Sequence, residues 1–182
     1  MKLLGRTFIL ATTLFLLSAC GSEAPPADAP KDAAPAATAP ASADALSGTW
    51  VLNHSKSTFR SPNQTPKSSK TVFEVAGDSV HVISDGVNVS GLATHAEYTA
   101  KFDGTKVATN GTVDGKPNPD IDTASWKKID DHTFELTLTG KGQAIVVNTI
   151  VVAADGKSYT STTSGKTGKG EPINNMFVME KQ

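Results

Sequence analysis

This chain has very little cysteine and a small net charge. Among its 182 residues there is one cysteine, Cys20, and 17 basic against 18 acidic residues leave a formal net charge of −1. A single cysteine excludes a disulfide framework and any zinc or iron–sulfur site that needs several thiolates. The near-neutral balance lacks the basic surface that binds nucleic acid, so we predict no nucleic-acid partner.

Patterns that indicate catalysis or metal binding are also missing. The four histidines, the side chains best suited to acid–base work near neutral pH, do not occur at metal-ligand spacing. One loop gathers oxygen ligands of the kind that Ca²⁺ prefers, but without the spacing of an EF-hand. We therefore predict no enzyme activity, no catalytic residue, no metal and no cofactor. The histidines are His54, His81, His95 and His132, and the loop residues are Asp114, Asn118, Asp120 and Asp122.

The first part of the chain is typical of an export signal. Lys2 and Arg6 give it a basic start, and an apolar run follows over residues 8–17. This run is shorter than the roughly 20 residues that cross a bilayer, and small residues come after it, as in cleavable signals. We predict a signal peptide over residues 1–19.

The end of this segment resembles the lipobox of bacterial lipoproteins. Leu17-Ser18-Ala19-Cys20 matches the Leu-[Ala/Ser]-[Gly/Ala]-Cys pattern of that family. The resemblance implies that Cys20 carries diacylglycerol, that cleavage occurs before it, and that its new amino group is acylated. Several acyl chains anchor a protein stably, since each buried CH₂ contributes about 0.8 kcal/mol. Gly21 stands where the family's inner-membrane retention signal has Asp, which implies the outer membrane of the cell envelope.

The next segment has the composition of a tether. Residues 21–45 contain 11 Ala and 5 Pro and show no apolar periodicity. Frequent proline prevents a stable helix, and nothing in the segment can form a core. We predict that residues 20–45, from the lipidated cysteine onward, are a disordered tether that holds the following domain away from the membrane.

Residues 46–182 have the composition of β-strands. They contain 18 Thr, 14 Val and 6 Ile but only 5 Leu, and β-branched side chains favour strands over helices. Apolar and polar residues alternate in segments such as 96–102 and 134–139, as in strands with one buried face. Asp-Gly pairs, which accept the positive φ of tight hairpin turns, separate many of these segments. The pairs occur at 85–86, 103–104, 114–115 and 155–156.

This pattern predicts an all-β domain over residues 46–182. Short connections favour an antiparallel up-and-down meander of eight to ten strands, and closure into a barrel would remove its unpaired edges. A β-sandwich is the alternative that the sequence leaves open. We place strands near 48–53, 69–76, 79–84, 87–90, 92–102, 105–109, 123–129, 132–139, 143–153, 157–164 and 173–181.

One local motif resembles a known barrel family. Gly48-Thr49-Trp50 is similar to the Gly-x-Trp that opens the first strand of lipocalins and their calycin relatives. The resemblance implies that Trp50 closes one end of the barrel beneath a basic residue of the last strand, a place that Lys181 can occupy. The domain also resembles small uncharacterised lipocalin-like bacterial proteins that begin Gly-Thr-Trp-x-Leu-Asn, a resemblance that implies no activity.

Several aromatic side chains fall on inward-pointing positions of the predicted strands. They either line a cavity for a small apolar ligand or fill the interior as core, and the sequence does not decide between the two. A cavity predicts a lipid-anchored envelope protein that binds or carries a small apolar molecule. A solid barrel predicts a structural or interaction lipoprotein whose protein partner is unknown. The candidate cavity residues are Tyr98, Phe102, Trp126 and Phe134.

Overall fold

A computed structural model describes residues 43–60, 62–141, 143–166 and 170–182. The predicted signal peptide, Cys20 and nearly all of the predicted tether lie outside the described residues. Within the described part, no helix has both the length and the apolar character needed to span a membrane.

Strands make up most of the described residues, together with two short 3₁₀ helices at Ala43–Leu46 and Pro62–Gln64. The twelve strands are β1 (Gly48–Leu52), β2 (Ser68–Ala76), β3 (Ser79–Val87), β4 (Ala93–Lys101), β5 (Val107–Ala108), β6 (Thr112–Val113), β7 (Lys116–Pro117), β8 (Thr123–Lys128), β9 (Thr133–Gly140), β10 (Gln143–Val152), β11 (Ser158–Lys166) and β12 (Pro172–Lys181).

All twelve strands belong to one antiparallel sheet, in the order β5-β8-β9-β10-β11-β12-β1-β2-β3-β4-β6-β7. The sheet curls strongly into a half-barrel, which confirms the all-β, antiparallel prediction. Most strands pair with their sequence neighbours, as in a meander. The first and last long strands also pair, so that β1 lies between β12 and β2.

The predicted strand number and closure are wrong. The described sheet has twelve strands rather than eight to ten, and its hydrogen-bonded ladder ends at β5 and β7 instead of closing. The reason lies in the connection from β4 to β8, where glycine, proline and positive-φ residues break the chain into three two-residue strands. Single hydrogen bonds still cross this gap: Glu97 N donates to Thr109 O at 3.2 Å, and Gly104 N donates to Trp126 O at 2.7 Å.

The predicted turn at residues 85–86 is also wrong. Strand β3 continues through Gly86 to Val87, and the chain turns instead at residues 88–92, where the Asn88 side chain accepts a hydrogen bond from Leu92 N. Glycine is needed here for close approach rather than for turning. A Cβ at Gly86 would lie 2.6 Å from the Ser68 carbonyl oxygen of the neighbouring strand.

The inner face of the curled sheet carries the core. Its aromatic rings meet at steep angles, as Phe73 does with Trp126 at a centroid distance of 5.6 Å and an interplanar angle of 82°. Edge-to-face packing of this kind contributes beyond area burial alone. Trp50, Trp126 and Phe134 are fully buried within this core.

Candidate functional site

The inner face of the curled sheet lines a partly open cavity of about 250 Å³. Strands β2, β3 and β4 contribute one side of its wall, β8 to β12 contribute the other, and the segment 109–121 contributes the rest. This volume lies just below the range of roughly 300–1,000 Å³ that is usual for small-molecule sites, so the cavity suits a molecule below drug size.

One end of the cavity is apolar and aromatic. Phe73, Val82 and Tyr98 are directly paired across β2, β3 and β4 and all line it. Trp126 reaches the same space from β8. Its indole Nε1 donates a hydrogen bond to the Tyr98 hydroxyl oxygen at 3.3 Å, so the polar atom of the indole is satisfied inside the core.

The lining becomes polar one register row further along the same strands. Thr71 pairs with Ser84, and both line the cavity where the row before it is aromatic or aliphatic. On the opposite wall, Asn148 of β10 pairs with Leu136 of β9, and Ser161 of β11 pairs with Ile150 and Phe177, so polar and apolar side chains share the rows there. The cavity lining therefore combines aromatic and aliphatic side chains with hydroxyl and amide groups.

No residue that lines the cavity in the described part of the chain is ionised near neutral pH. The lining set contains no Asp, Glu, Lys, Arg or His, and its only ionisable groups are the phenols of Tyr98 and Tyr159. Burial raises the pKa of Tyr98 to about 12. Burial also raises the pKa of Tyr159 strongly. Both phenols are thus neutral hydrogen-bonding groups at any physiological pH.

The segment between β4 and β8 passes over the gap in the sheet and brings Asn118 to the cavity. Asn118 is fixed by its own loop, because its Oδ1 accepts from Asp120 N at 2.9 Å and from Ile121 N at 3.3 Å. The loop is in turn joined to β9, since Asp122 N donates to Thr139 O at 2.9 Å. The predicted oxygen-rich loop is thus a wall of the cavity.

The four aromatic residues that the sequence suggested as cavity residues separate into two pairs. Tyr98 and Trp126 line the cavity, whereas Phe102 and Phe134 do not. Phe134 is fully buried, and its ring lies 5.3 Å from that of Phe102, which also contacts Trp126. Phe102 and Phe134 thus fill the interior beside the cavity.

Trp50 and Lys181 lie together at the start of β1. The Lys181 Nζ is 5.1 Å from the Trp50 ring centroid, and the two residues are register partners across β1 and β12. The indole Nε1 donates to Leu46 O at 2.8 Å. Gly48 has a φ of 133°, and a Cβ there would lie 2.5 Å from Lys181 Cε, so glycine leaves room for the lysine stem to cross the indole.

The outer face of the sheet carries an ionic cluster that the sequence indicated only through the pair His95 and Glu97. His81 lies 3.1 Å from Glu74 and 3.2 Å from Glu97, and His95 lies 2.8 Å from Asp85. The hydrogen bond to Glu74, and then that to Glu97, raise the pKa of His81 above 6.5. In the described residues no group of three or more His, Cys, Asp or Glu side chains is arranged to hold a metal ion.

Three cavity residues carry a signal that the sequence prediction did not use. Asn148 is a lone amide within the apolar segment of β10, where an inward polar side chain needs a partner or a ligand. Its Oδ1 accepts from Thr163 Oγ1 at 2.6 Å. Thr71 and Ser84 likewise stand at inward positions, each two residues from an apolar inward side chain, Phe73 on β2 and Val82 on β3.

No protein-family model matches this chain, and no curated protein matches it in sequence. The resemblances to lipoproteins and to lipocalins therefore stay predictions. The cavity and its lining are therefore the structural features from which a function is proposed.

Proposed function

We propose that this protein is a lipid-anchored envelope protein whose lipocalin-like domain binds or carries a small, mostly apolar molecule, without catalysing a reaction. The observation that carries the proposal is the cavity of about 250 Å³ within the sheet, with aromatic walls and no ionised lining residue. A space of this kind favours burial of an apolar body with a few oriented polar groups. No nucleic-acid partner is proposed.

The anchoring part of the proposal is supported by the sequence. Leu17-Ser18-Ala19-Cys20 follows an apolar run of signal-peptide length, and Gly21 favours the outer membrane. The anchor is tested by mass spectrometry of the protein extracted from membranes. Wild-type protein should begin at Cys20 and carry the diacylglyceryl and acyl additions. A Cys20→Ser variant should lack both additions and should leave the membrane fraction, and an unmodified wild-type chain would contradict lipidation.

The lipocalin-like part is supported by the arrangement at the start of β1. Lys181 lies over Trp50, and Gly48 makes room for it. This is the arrangement that the resemblance implies for the closed end of such a barrel.

Ligand binding is tested by native mass spectrometry of the full chain released gently from the envelope of its own host. A carrier should show a discrete added mass that disappears on denaturation. Ala96→Phe, which places a ring in the cavity, should remove the added mass. Ala93→Phe is the matched control, because Ala93 is exposed on the same strand and does not line the cavity.

The alternative function is an interaction protein that works through its surface. It is favoured by the large apolar side chains that the described surface exposes, among them Val89 and Leu92 at the turn between β3 and β4, which are 40% and 41% exposed. If neither wild-type protein nor the Ala96→Phe variant shows an added ligand mass, this alternative would be favoured over the carrier.

A further inference from the structure

The polar groups in the cavity differ in which of their hydrogen-bond donors and acceptors remain available to a ligand. Three of them, on β4, on β10 and on the crossing segment, have an oxygen that already accepts a hydrogen bond from the protein. This asymmetry bears on the ligand's chemistry, because a buried ligand must complement the groups that remain.

Asn118 is the clearest case. Its Oδ1 accepts from the backbone N–H groups of Asp120 and Ile121. Those two bonds orient the side chain so that the oxygen faces its own loop. The amide NH₂ is therefore the group that Asn118 offers to a molecule in the cavity that it lines.

Asn148 and Tyr98 repeat this arrangement on opposite walls. The Oδ1 of Asn148 accepts from Thr163 Oγ1 at 2.6 Å, which leaves its amide NH₂ for a ligand. The Tyr98 hydroxyl oxygen accepts from Trp126 Nε1 at 3.3 Å, which leaves its O–H as a donor. All three residues line the same cavity, and so the cavity presents donors in excess.

Charge on the ligand is disfavoured by the same lining. The described lining has no Lys, Arg or His that could compensate a carboxylate or a phosphate that leaves water, and no Asp or Glu that could compensate a cation. An uncompensated charge in such a place is strongly disfavoured. Among the lining hydroxyls, that of Thr109 already donates to Asp122 O at 3.4 Å and can only accept from a ligand, whereas the other Ser and Thr hydroxyls can donate or accept. None of these neutral hydroxyls would compensate a charged ligand.

We propose that the cavity selects an uncharged molecule of about one or two fused rings that carries a hydrogen-bond-accepting oxygen, such as a ketone, a quinone or a lactone. Its apolar body would lie against Phe73 and Trp126, and its oxygen would accept from the amides of Asn118 and Asn148. This inference rests on the proposed function, since it assumes that the cavity binds a ligand at all.

Three probes of similar shape test it by isothermal titration calorimetry. They are methyl naphthyl ketone, its isopropenyl analogue in which CH₂ replaces the carbonyl oxygen, and naphthoate. The full chain is used in a mild detergent, and the micelle partition of each probe, measured without protein, converts total into free probe concentration so that the affinities can be compared. The ketone should bind about tenfold more tightly than the isopropenyl compound, as one or two buried hydrogen bonds allow, and naphthoate should bind more weakly than both.

The matched variant is Asn118→Asp, which keeps an oxygen for the two loop N–H groups but removes the NH₂ donor. It should weaken ketone binding about tenfold and change isopropenyl binding much less, so retained isopropenyl binding reports that the variant is folded. Asn148→Asp is a second variant with the same expectation. Asn53→Asp is the control, because Asn53 makes a similar local cap outside the cavity and should leave all three affinities unchanged.

The outcomes separate this inference from the proposed function. Isopropenyl binding as tight as ketone binding, or naphthoate binding as tight as either, would overturn the donor-rich, neutral site while leaving a ligand cavity. A ketone affinity that survives in both Asn118→Asp and Asn148→Asp would also overturn it. Binding of none of the three probes by wild-type protein would overturn the proposed function and this inference together.

Discussion

Replacing Trp50 with alanine removes a side chain on which three contacts converge. The indole is fully buried and donates to Leu46 O at 2.8 Å. Its ring meets Tyr159 edge-on at 4.9 Å, and the Lys181 ammonium lies 5.1 Å from its centroid. The substitution therefore tests whether the start of β1 stabilises the domain as the geometry indicates.

The expected loss follows from the burial of the indole. A buried aromatic side chain removes roughly 150–250 Å² from water, which corresponds to ~4–6 kcal/mol at about 25 cal/mol per Å². Alanine retains part of this burial, and observed losses for such truncations are about 3–5 kcal/mol. We expect the free energy of unfolding to fall by about 4 kcal/mol.

Two milder variants divide this loss into its parts. Trp50→Phe keeps a ring against Tyr159 but leaves the Leu46 carbonyl without its donor, and should cost about 1–3 kcal/mol. Lys181→Met keeps the stem of the side chain but removes the charge over the indole. Because Lys181 is exposed, this change should cost about 0.5–1 kcal/mol and should cost less at high salt.

Urea unfolding of the full chain in mild detergent, followed by circular dichroism, measures these differences. Ile129→Ala is the control, because Ile129 is apolar but 60% exposed and its loss should change stability by no more than about 0.5 kcal/mol. A loss below about 1 kcal/mol for Trp50→Ala would refute the reasoning, since truncation of a fully buried indole typically lowers the free energy of unfolding by about 3–5 kcal/mol.

Three further predictions follow from other parts of the fold. Glu74→Gln should lower the pKa of His81 in an NMR titration, because the Glu74 hydrogen bond is the largest cause that raises it. Because the pKa of His81 is raised in the folded state, its protonation stabilises the fold below about pH 6.5, and this stabilisation is lost as the pH rises through the folded-state pKa. The difference in the free energy of unfolding in urea between wild-type protein and Glu74→Gln should therefore shrink over that pH range. Tyr98 and Tyr159 are the only tyrosines in the sequence, and burial raises the pKa of both phenols. At one pH unit above the ordinary phenol pKa of 10.0, the folded chain should therefore show little phenolate absorption, whereas the urea-unfolded chain should be largely ionised. Ionisation of the folded chain at the ordinary pKa would contradict the burial of the two phenols. Gly86→Ala places a Cβ 2.6 Å from a backbone oxygen of β2 and should lower the unfolding free energy by about 1–3 kcal/mol, whereas an unchanged urea midpoint would contradict this close approach.

The long strands could be predicted because their signal is local. Alternating burial along β2 and β8 follows directly from the pleat, and the predicted bounds 69–76 and 123–129 agree with Ser68–Ala76 and Thr123–Lys128 to within a residue. Strand β5 lies within the predicted strand near 105–109, whereas β6 and β7 were not predicted. Two residues cannot show a period, and β6 depends on a distant partner strand, with Val113 paired to Thr94 of β4.

The cavity lining was harder to predict than the strands. An inward position on a strand indicates that a side chain faces the interior, but not whether that interior is filled. Tyr98 borders empty space while Phe102, four residues along, packs against Phe134. Which of the two positions borders the cavity depends on how the whole sheet curls and not on any local pattern.

The amides of the cavity show why local chemistry alone did not reveal the site. Asn118 belongs to a loop rich in Asp, Gly and Pro, where an Asn that caps backbone N–H groups is ordinary turn chemistry. Asn148 belongs to an apolar strand, where one amide bonded to a neighbouring threonine satisfies the usual rule for buried polar groups. The local structure alone explains the hydrogen bonds of each asparagine side chain, and in both cases only the amide oxygen takes part in them. The two donors face a common space because the loop crosses the gap that the interrupted ladder leaves between β4 and β8. The broken part of the sheet, which the sequence predicted least well, is therefore the part that supplies one of the site's two amides.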